Sequence, residues 1–177
     1  GGNIDIYIAV DPLEGTNFVA NDLPGALSVI AIAEKGNLFN APETYMDKLA
    51  VSNKIPFDAT DLDFPVEKNI KNIADSLNKD ISDITACLLD RPRHQKIIDK
   101  LKDLNVKIKL ISDGDVSGAL LVTNQKYTVD IFLGIGGGPE GVLDASAIDA
   151  YNCKFQGRFL FENEKDKSRA CLLYTSD

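Results

Sequence analysis

Two carboxylates and a hydroxyl stand close together after an apolar run near the start of this chain. Residues 4–10 are rich in Ile, Val and Tyr, which is typical of a largely buried strand. Pro12 cannot donate to a strand ladder, so we expect the strand to end at Asp11. Asp11 and Glu14 then lie at one sheet edge beside Thr16, and their oxygens suit a hard cation, Mg²⁺ or Mn²⁺, that holds a phosphate. The same spacing is also typical of a surface turn, since Asp and Pro begin turns and Gly ends them.

The composition is that of a soluble globular protein with one sizeable core. The 177 residues are 44% hydrophobic and 26% charged, and no apolar stretch approaches the roughly 20 residues of a membrane span. A net charge of −8 argues against nucleic acid as the main partner. Cys87, Cys153 and Cys171 have no paired or metal-binding spacing, which favours a reducing cytoplasm. The single histidine, His94, argues against a Ser-His-Asp or zinc site and is interpreted as covering a helix surface.

Both ends of the sequence indicate a piece of a longer protein. The chain begins without Met, directly before its first predicted strand. Residues 171–177 match the translation of a transposase adapter used in sequencing libraries, and we interpret them as non-native. The alternative is a real strand at this end. Residues 1–170 are then the native part.

Strands and helices alternate along the chain. Hydrophobic patterning predicts a second buried strand at 26–33 and further strands at 84–89, 106–111 and 127–133. It also predicts helices at 65–77, 115–122 and 139–151, and a glycine loop at 134–138. Residues 43–50 fit either a helix or a strand. Asp90 is expected to cap a further helix, whose buried face consists of Ile97, Ile98, Leu101 and Leu104. From Ala86 onward the order predicts an α/β sandwich, in which ligands bind at the carboxyl ends of strands.

Two of these strand-to-helix junctions carry charged side chains. Arg91 and Arg93 flank a proline at a predicted helix start, where guanidinium groups and free N–H groups attract phosphate. The alternative is a solvated basic turn. Asp113 and Asp115 enclose Gly114 at the next junction, where paired carboxylates can accept hydrogen bonds from sugar hydroxyls. A helix cap with its turn explains Asp115 equally well, although it leaves Asp113 without a role.

The glycine loop allows a different function. Residues 136–141 satisfy G-x-G-x-x-G between a strand and a helix, as a dinucleotide-binding segment would. However, Glu140 puts a negative charge where the pyrophosphate would sit at the helix start. A metal between carboxylate and phosphate removes that conflict. A third possibility is a non-catalytic remnant that binds sugar phosphates.

Several stretches together resemble one enzyme family. The chain is similar to class II fructose-1,6-bisphosphatase, the bacterial type within the lithium-sensitive sugar and inositol phosphatases, from about residue 5 to residue 160. The stretches that carry this resemblance are Asp11-Pro12-Leu13-Glu14-Gly15-Thr16, Asn40-Ala41-Pro42-Glu43-Thr44-Tyr45-Met46-Asp47-Lys48, Arg91-Pro92-Arg93-His94, Asp113-Gly114-Asp115 and Gly134-Ile135-Gly136-Gly137-Gly138-Pro139-Glu140-Gly141.

The resemblance implies a layered α-β-α-β sugar phosphatase fold, here incomplete, with residues 1–170 as a partial catalytic region. It implies a cytoplasmic, homo-oligomeric gluconeogenic enzyme that uses Mn²⁺ or Mg²⁺ to remove the 1-phosphate of fructose 1,6-bisphosphate. Asp11, Glu14 and Glu140 would bind metal, and Thr16 would position or activate the attacking water. The residues expected to contact the substrate are Glu14, Gly15, Thr16, Tyr45, Arg91, Pro92, Arg93, Asp113, Gly114, Asp115 and Gly137. Members of the family carry further acidic ligands and a lysine before the metal signature, so we expect little activity from this chain alone.

Overall fold

The computed structural model describes residues 5–161 of the chain. Its strands are β1 (Ile6–Glu14), β2 (Leu27–Glu34), β3 (Tyr45–Val51), β4 (Thr85–Leu89), β5 (Lys107–Ile111), β6 (Ile131–Gly137) and β7 (Lys154–Leu160). Its α-helices are α1 (Thr16–Ala20), α2 (Val66–Leu77), α3 (Gln95–Asp103), α4 (Asp115–Leu120) and α5 (Gly138–Ala150). The longest of these helices, α5, has 13 residues, and none in the described part is long and apolar enough to cross a membrane.

Two sheets organise the described residues. β1 and β2 form an antiparallel pair, and the other five strands form a mixed sheet in the order β5-β4-β6-β3-β7. In the larger sheet β4 is parallel to both β5 and β6, whereas β3 is antiparallel to β6 and β7. The carboxyl ends of β4, β5 and β6 therefore meet the amino end of β3 at one edge.

The helices and sheets stack in four layers. α2 and α3 pack on one face of the larger sheet, where a core cluster includes Ile73, Leu101 and Leu88. α4 and α5 cover its other face, where Ala119 and Ile148 pack against Phe132. α5 also packs against β1 and β2, which form the fourth layer. This order confirms the α-β-α-β architecture that the family resemblance implies.

The first two strands are exposed, and the prediction that they are buried is wrong. Ile6, Ile8 and Ile30 are 52%, 55% and 61% exposed on the outer face of the pair. α5 packs only on the inner face of this pair, and no other described element covers the outer one. The expected end at Asp11 is also wrong: regular pairing stops there, but β1 passes an irregularity in register and ends at Glu14. The predicted first residue of this strand, Ile4, lies outside the described residues.

Other corrections concern the glycine loop and one helix. β6 begins at Ile131 instead of 127 and includes 134–137, because these backbone groups pair with the first half of β3. Residues 43–50, which the pattern left open, form β3 in large part, and β7 is an element that the pattern did not predict. Asp90 does not cap a helix: its N–H donates to the carbonyl of Ile111, and a 3₁₀ turn, Pro92–His94, precedes α3.

Candidate active site

The charged junctions meet at one edge of the larger sheet. Arg91 and Arg93 follow β4, Asp113 and Asp115 follow β5, and Gly137 ends β6. The sequence resemblance groups these residues as substrate contacts, and the parallel direction of the three strands brings them together. Tyr45 joins them because β3 is antiparallel and pairs it directly with Gly137.

Glu14 links the smaller sheet to this edge. Its Oε1 accepts a hydrogen bond of 2.9 Å from the backbone N–H of Val116 at the start of α4. Its Oε2 is buried and has no hydrogen-bond partner among the described residues. Gly15 takes the left-handed conformation, with φ 81°, that turns the chain from β1 into α1. A second hydrogen bond joins α1 to this edge of the sheet: the backbone N–H of Asn17 donates to Asp113 Oδ2 at 2.9 Å.

The carboxylates near Glu14 make the site strongly anionic. Burial raises the pKa of Glu14 to about 7, the Val116 N–H opposes this change, and the charges of Asp115 and Glu140 add to it. Burial likewise raises the pKa of Glu140, and Asp115 raises it further. A buried carboxylate oxygen without a donor, in a field of like charges, fits a hard divalent cation.

The three predicted metal ligands do not form a ready-made site. Within residues 5–161, no three acidic, histidine or cysteine side chains are close enough together to hold a metal ion. Asp11 Oδ1 instead accepts from the Leu13 N–H at 3.0 Å, and Glu140 Oε2 accepts from the Gly137 N–H at 3.2 Å. Thr16 is exposed at the first position of α1. The metal set of Asp11, Glu14 and Glu140 and the catalytic role of Thr16 stay predictions.

The two arginines are held by backbone carbonyls. Arg91 Nη1 donates to the carbonyls of Asp90 and Ser112 at 2.9 Å each, and its Nη2 lies 3.8 Å from Asp113 Oδ1. Arg93 Nε donates to a β6 carbonyl, and its guanidinium lies 5.2 Å from the ring centroid of Tyr45. A guanidinium has five N–H donors, so both arginines keep donors for an anion.

His94 has a structural role that the sequence reasoning missed. It is 1% exposed, whereas the sequence interpretation placed it on a helix surface. Its Nδ1 lies 2.7 Å from the carbonyl of Leu89, and its Nε2 accepts from the Ile135 N–H at 2.8 Å. The ring therefore joins the end of β4 to β6, at the residue whose carbonyl accepts from Arg93. Gly134 leaves room for it, since a Cβ there would lie 2.9 Å from the imidazole.

Lys48 is a second residue that the sequence reasoning missed. It is 1% exposed on β3, and its ammonium contacts the carboxylates of Asp115 and Asp144. Burial would lower the pKa of Lys48, but the two carboxylates outweigh it and raise the pKa. The available signal was a lysine inside a strand whose neighbours 46–51 are mostly apolar.

The glycines of the G-x-G-x-x-G segment serve contacts within the protein. A Cβ at Gly136 would overlap the Asp115 carboxylate, and one at Gly138 would lie 2.9 Å from two backbone carbonyls. A Cβ at Gly141 would overlap Met46. Packing thus accounts for all three glycines, which removes the support that their spacing gave to a dinucleotide site.

A cavity lies away from this edge. It has a volume of about 710 Å³, and its lining includes Phe57, Asp149 and Lys154 but none of the predicted site residues. The Lys154 ammonium already donates to the carbonyls of Phe57 and Thr60 and to the Thr60 hydroxyl. Since an ammonium has three donors, it has none left for a ligand.

Comparison with known proteins gives a consistent family. The family model for bacterial fructose-1,6-bisphosphatase, glpX-encoded, matches residues 1–174. The chain is 43% identical over 161 residues to the D-fructose 1,6-bisphosphatase class 2/sedoheptulose 1,7-bisphosphatase of Synechococcus sp. (strain JA-2-3B'a(2-13)), covering 91% of the chain and 46% of that protein. It is 40% identical over 159 residues to the fructose-1,6-bisphosphatase class 2 of Haemophilus influenzae, covering 90% and 47%. The chain spans about half the length of the curated relatives it matches.

The family match reaches into the segment that the sequence analysis interpreted as adapter-derived. It ends at residue 174, whereas that segment is 171–177. These residues lie outside the described part, so the adapter interpretation stays a prediction.

Proposed function

The chain belongs to the family of glpX-encoded bacterial fructose-1,6-bisphosphatases, and from that premise we propose that the whole protein hydrolyses the 1-phosphate of fructose 1,6-bisphosphate. The products are fructose 6-phosphate and inorganic phosphate, as in gluconeogenesis. The observation that supports this best is Glu14, whose buried Oε2 lacks a partner beside the charges of Asp115 and Glu140. Arg91 and Arg93 supply cationic groups at the same edge of the sheet.

A divalent cation fits this anionic site, as expected for a family of metal-dependent phosphatases. Asp11, Glu14 and Glu140 are the residues that would hold it, and Mn²⁺ or Mg²⁺ is the proposed ion because both accept carboxylate oxygens. Held by these residues, such an ion would polarise the phosphate, lower the pKa of a water molecule and offset charge on the leaving oxygen.

The arginines hold the phosphate that does not react. Their backbone contacts fix the two guanidinium groups before substrate arrives, so little side-chain entropy is lost on binding. Binding energy at this phosphate then orients the reacting one. Asp113 and Asp115 accept hydrogen bonds from hydroxyls of the sugar, while Gly15, Gly114 and Gly137 let the backbone approach the sugar closely. Tyr45 and Pro92 complete this contact set.

Thr16 is the proposed catalytic hydroxyl. It starts α1 two residues after Glu14, and its exposure leaves the side chain accessible to a water molecule and a substrate. A hydroxyl that aligns the attacking water acts mainly in the transition state, so its effect falls on kcat.

The wider setting of the enzyme is part of the same proposal. The relative from Synechococcus is named for both fructose 1,6-bisphosphate and sedoheptulose 1,7-bisphosphate, and we expect the shared ketose 1-phosphate end to be the reacting part of either sugar. We place the whole protein in the cytoplasm as a homo-oligomer. The thiols of Cys87 and Cys153, which are free in the structure, are compatible with a reducing compartment.

The test is phosphate release from fructose 1,6-bisphosphate by an enzyme of the relatives' full length that contains this sequence. With Mn²⁺ or Mg²⁺ we expect turnover, and chelation should abolish it. Arg93→Met should raise KM at least tenfold. The matched control is Arg158→Met, which removes a charge that pairs with exposed Asp63 and acts on Asp47 but on none of the proposed site residues, and it should leave KM within a few-fold. Binding of fructose 6-phosphate without any hydrolysis would instead support a non-catalytic sugar-phosphate protein.

A further inference from the structure

A buried ion cluster lies behind the residues that are proposed to bind the sugar. The Lys48 side chain is 0% exposed, and its Nζ lies 2.7 Å from Asp144 Oδ2 while also contacting Asp115 Oδ2. The cluster joins β3, α4 and α5, whose residues are far apart in sequence. Buried charges are costly unless they are paired, and truncating one partner leaves the others uncompensated. None of the roles proposed above uses Lys48 or Asp144.

The glycines around the cluster keep it in place. Gly136 has no side chain, and a Cβ there would overlap Asp115 Oδ2, the oxygen that contacts the ammonium. A Cβ at Gly141 would overlap Met46 and lie 3.3 Å from Lys48 Cε. The space for this ion pair is thus built into β6 and α5, where glycines leave room for the Asp115 carboxylate and the Lys48 side chain.

The cluster engages one oxygen of Asp115 and leaves the other without a hydrogen bond among the described residues, on a side chain that is 4% exposed. Oδ2 contacts Lys48, whereas no hydrogen bond within the described residues engages Oδ1. Asp115 is the first residue of α4, next to Val116, whose N–H is bonded to Glu14. The Lys48 ammonium itself is completely covered, so it acts on a ligand only through the carboxylate that it holds.

We propose that Lys48 is a positioning residue for the sugar, and that Asp144 is the anchor that holds its ammonium against Asp115. This rests on the proposed function, because it needs Asp115 to accept a sugar hydroxyl. Fixing one carboxylate oxygen presets the direction of the other, so less freedom is lost when a hydroxyl donates to it. The sugar moiety is therefore recognised through Lys48, whereas the phosphate is recognised by groups outside the cluster.

The experiment compares two ligands of the full-length enzyme, fructose 6-phosphate and inorganic phosphate, by calorimetry. Lys48→Gln should weaken the binding of fructose 6-phosphate at least tenfold and leave the affinity for inorganic phosphate within threefold of wild type. In the hydrolysis assay KM should rise while kcat changes little. Removing a cation close to Glu140 should also tighten Mn²⁺ binding severalfold, since the ammonium opposes the cation. Weaker binding of all three ligands together would indicate a purely structural role for Lys48 and would count against the proposal.

Asp144→Asn keeps the shape of the anchor residue and provides a second test of the proposal if the Lys48→Gln variant does not fold. We expect it to weaken the binding of fructose 6-phosphate three- to tenfold and to leave the affinity for inorganic phosphate unchanged. Lys107→Gln is the control, because this lysine pairs with Asp83 at the exposed surface. Equal affinity of the variants and wild type for fructose 6-phosphate would overturn the role of Lys48, as would a parallel loss for both ligands. If the wild-type enzyme does not bind fructose 6-phosphate, that result contradicts the proposed function itself and not only the role of Lys48.

Discussion

Replacing Glu14 by Gln should stabilise the protein when no metal is present. Glu14 is only 3% exposed, and burial raises its pKa from 4.5 to about 7. Gln has nearly the same shape and keeps an oxygen for the Val116 N–H, but it has no charge to bury. The residue proposed to bind metal is therefore one that destabilises the metal-free fold, a common conflict between function and stability.

The size of the effect follows from the pKa difference between the folded and unfolded states. The pKa of Glu14 is about 7 in the folded protein and 4.5 in the unfolded chain, so the protonated carboxyl group favours folding below pH 4.5. This contribution to stability is lost as the pH rises through about 7. At pH 8 the penalty is about 3 kcal/mol, because each pKa unit corresponds to about 1.4 kcal/mol. Below pH 4.5 it disappears. The neutral Gln avoids the penalty at every pH.

Urea denaturation in a chelating buffer measures the free energy of unfolding of both proteins from pH 4.5 to pH 8. We expect Glu14→Gln to be more stable at pH 8, and the difference to shrink toward zero at pH 4.5. Adding Mn²⁺ should stabilise wild type more than the variant. A variant no more stable than wild type at pH 8, or a difference that does not depend on pH, would refute the reasoning. Glu67→Gln is the control. Hydrogen bonds from its own backbone N–H and from Lys100 lower the pKa of Glu67, so removing this carboxylate should not raise the free energy of unfolding.

Three further predictions concern other residues. In the full-length enzyme, Thr16→Ala should lower kcat by roughly 10²–10⁴ with KM little changed, while Thr16→Ser should retain much more activity; similar small effects on kcat from both would remove the catalytic assignment. His94→Ala should lower the free energy of unfolding by about 3 kcal/mol in urea denaturation, because a buried carbonyl and a half-buried N–H lose their partner. Burial raises the pKa of the Cys87 thiol to about 12, so this thiol should react slowly with an alkylating reagent at pH 8. In a Cys171→Ser variant, mass spectrometry of peptides should therefore find Cys153 modified and Cys87 spared.

The sequence determined the features that depend on neighbours along the chain. The helical spacing after Pro65 gave α2 to within a residue, and the order from Ala86 onward gave the alternating strands and helices. The charged junctions after β4 and β5 were visible for the same reason, since a residue that ends a strand and one that starts a helix are local signals. The rule that parallel strands present their carboxyl ends at one edge then predicted that these junctions meet.

Only the tertiary structure decided which distant residues contact each other. Lys48 lies 67 residues from Asp115 and 96 from Asp144, and Glu14 accepts from an N–H 102 positions away. Exposure of β1 was decided in the same way, because the apolar residue types of a strand do not say which other element covers each face. Burial, pairing and pKa depend on what packs against a side chain in space, and hydrophobic periodicity records only the neighbours along the chain.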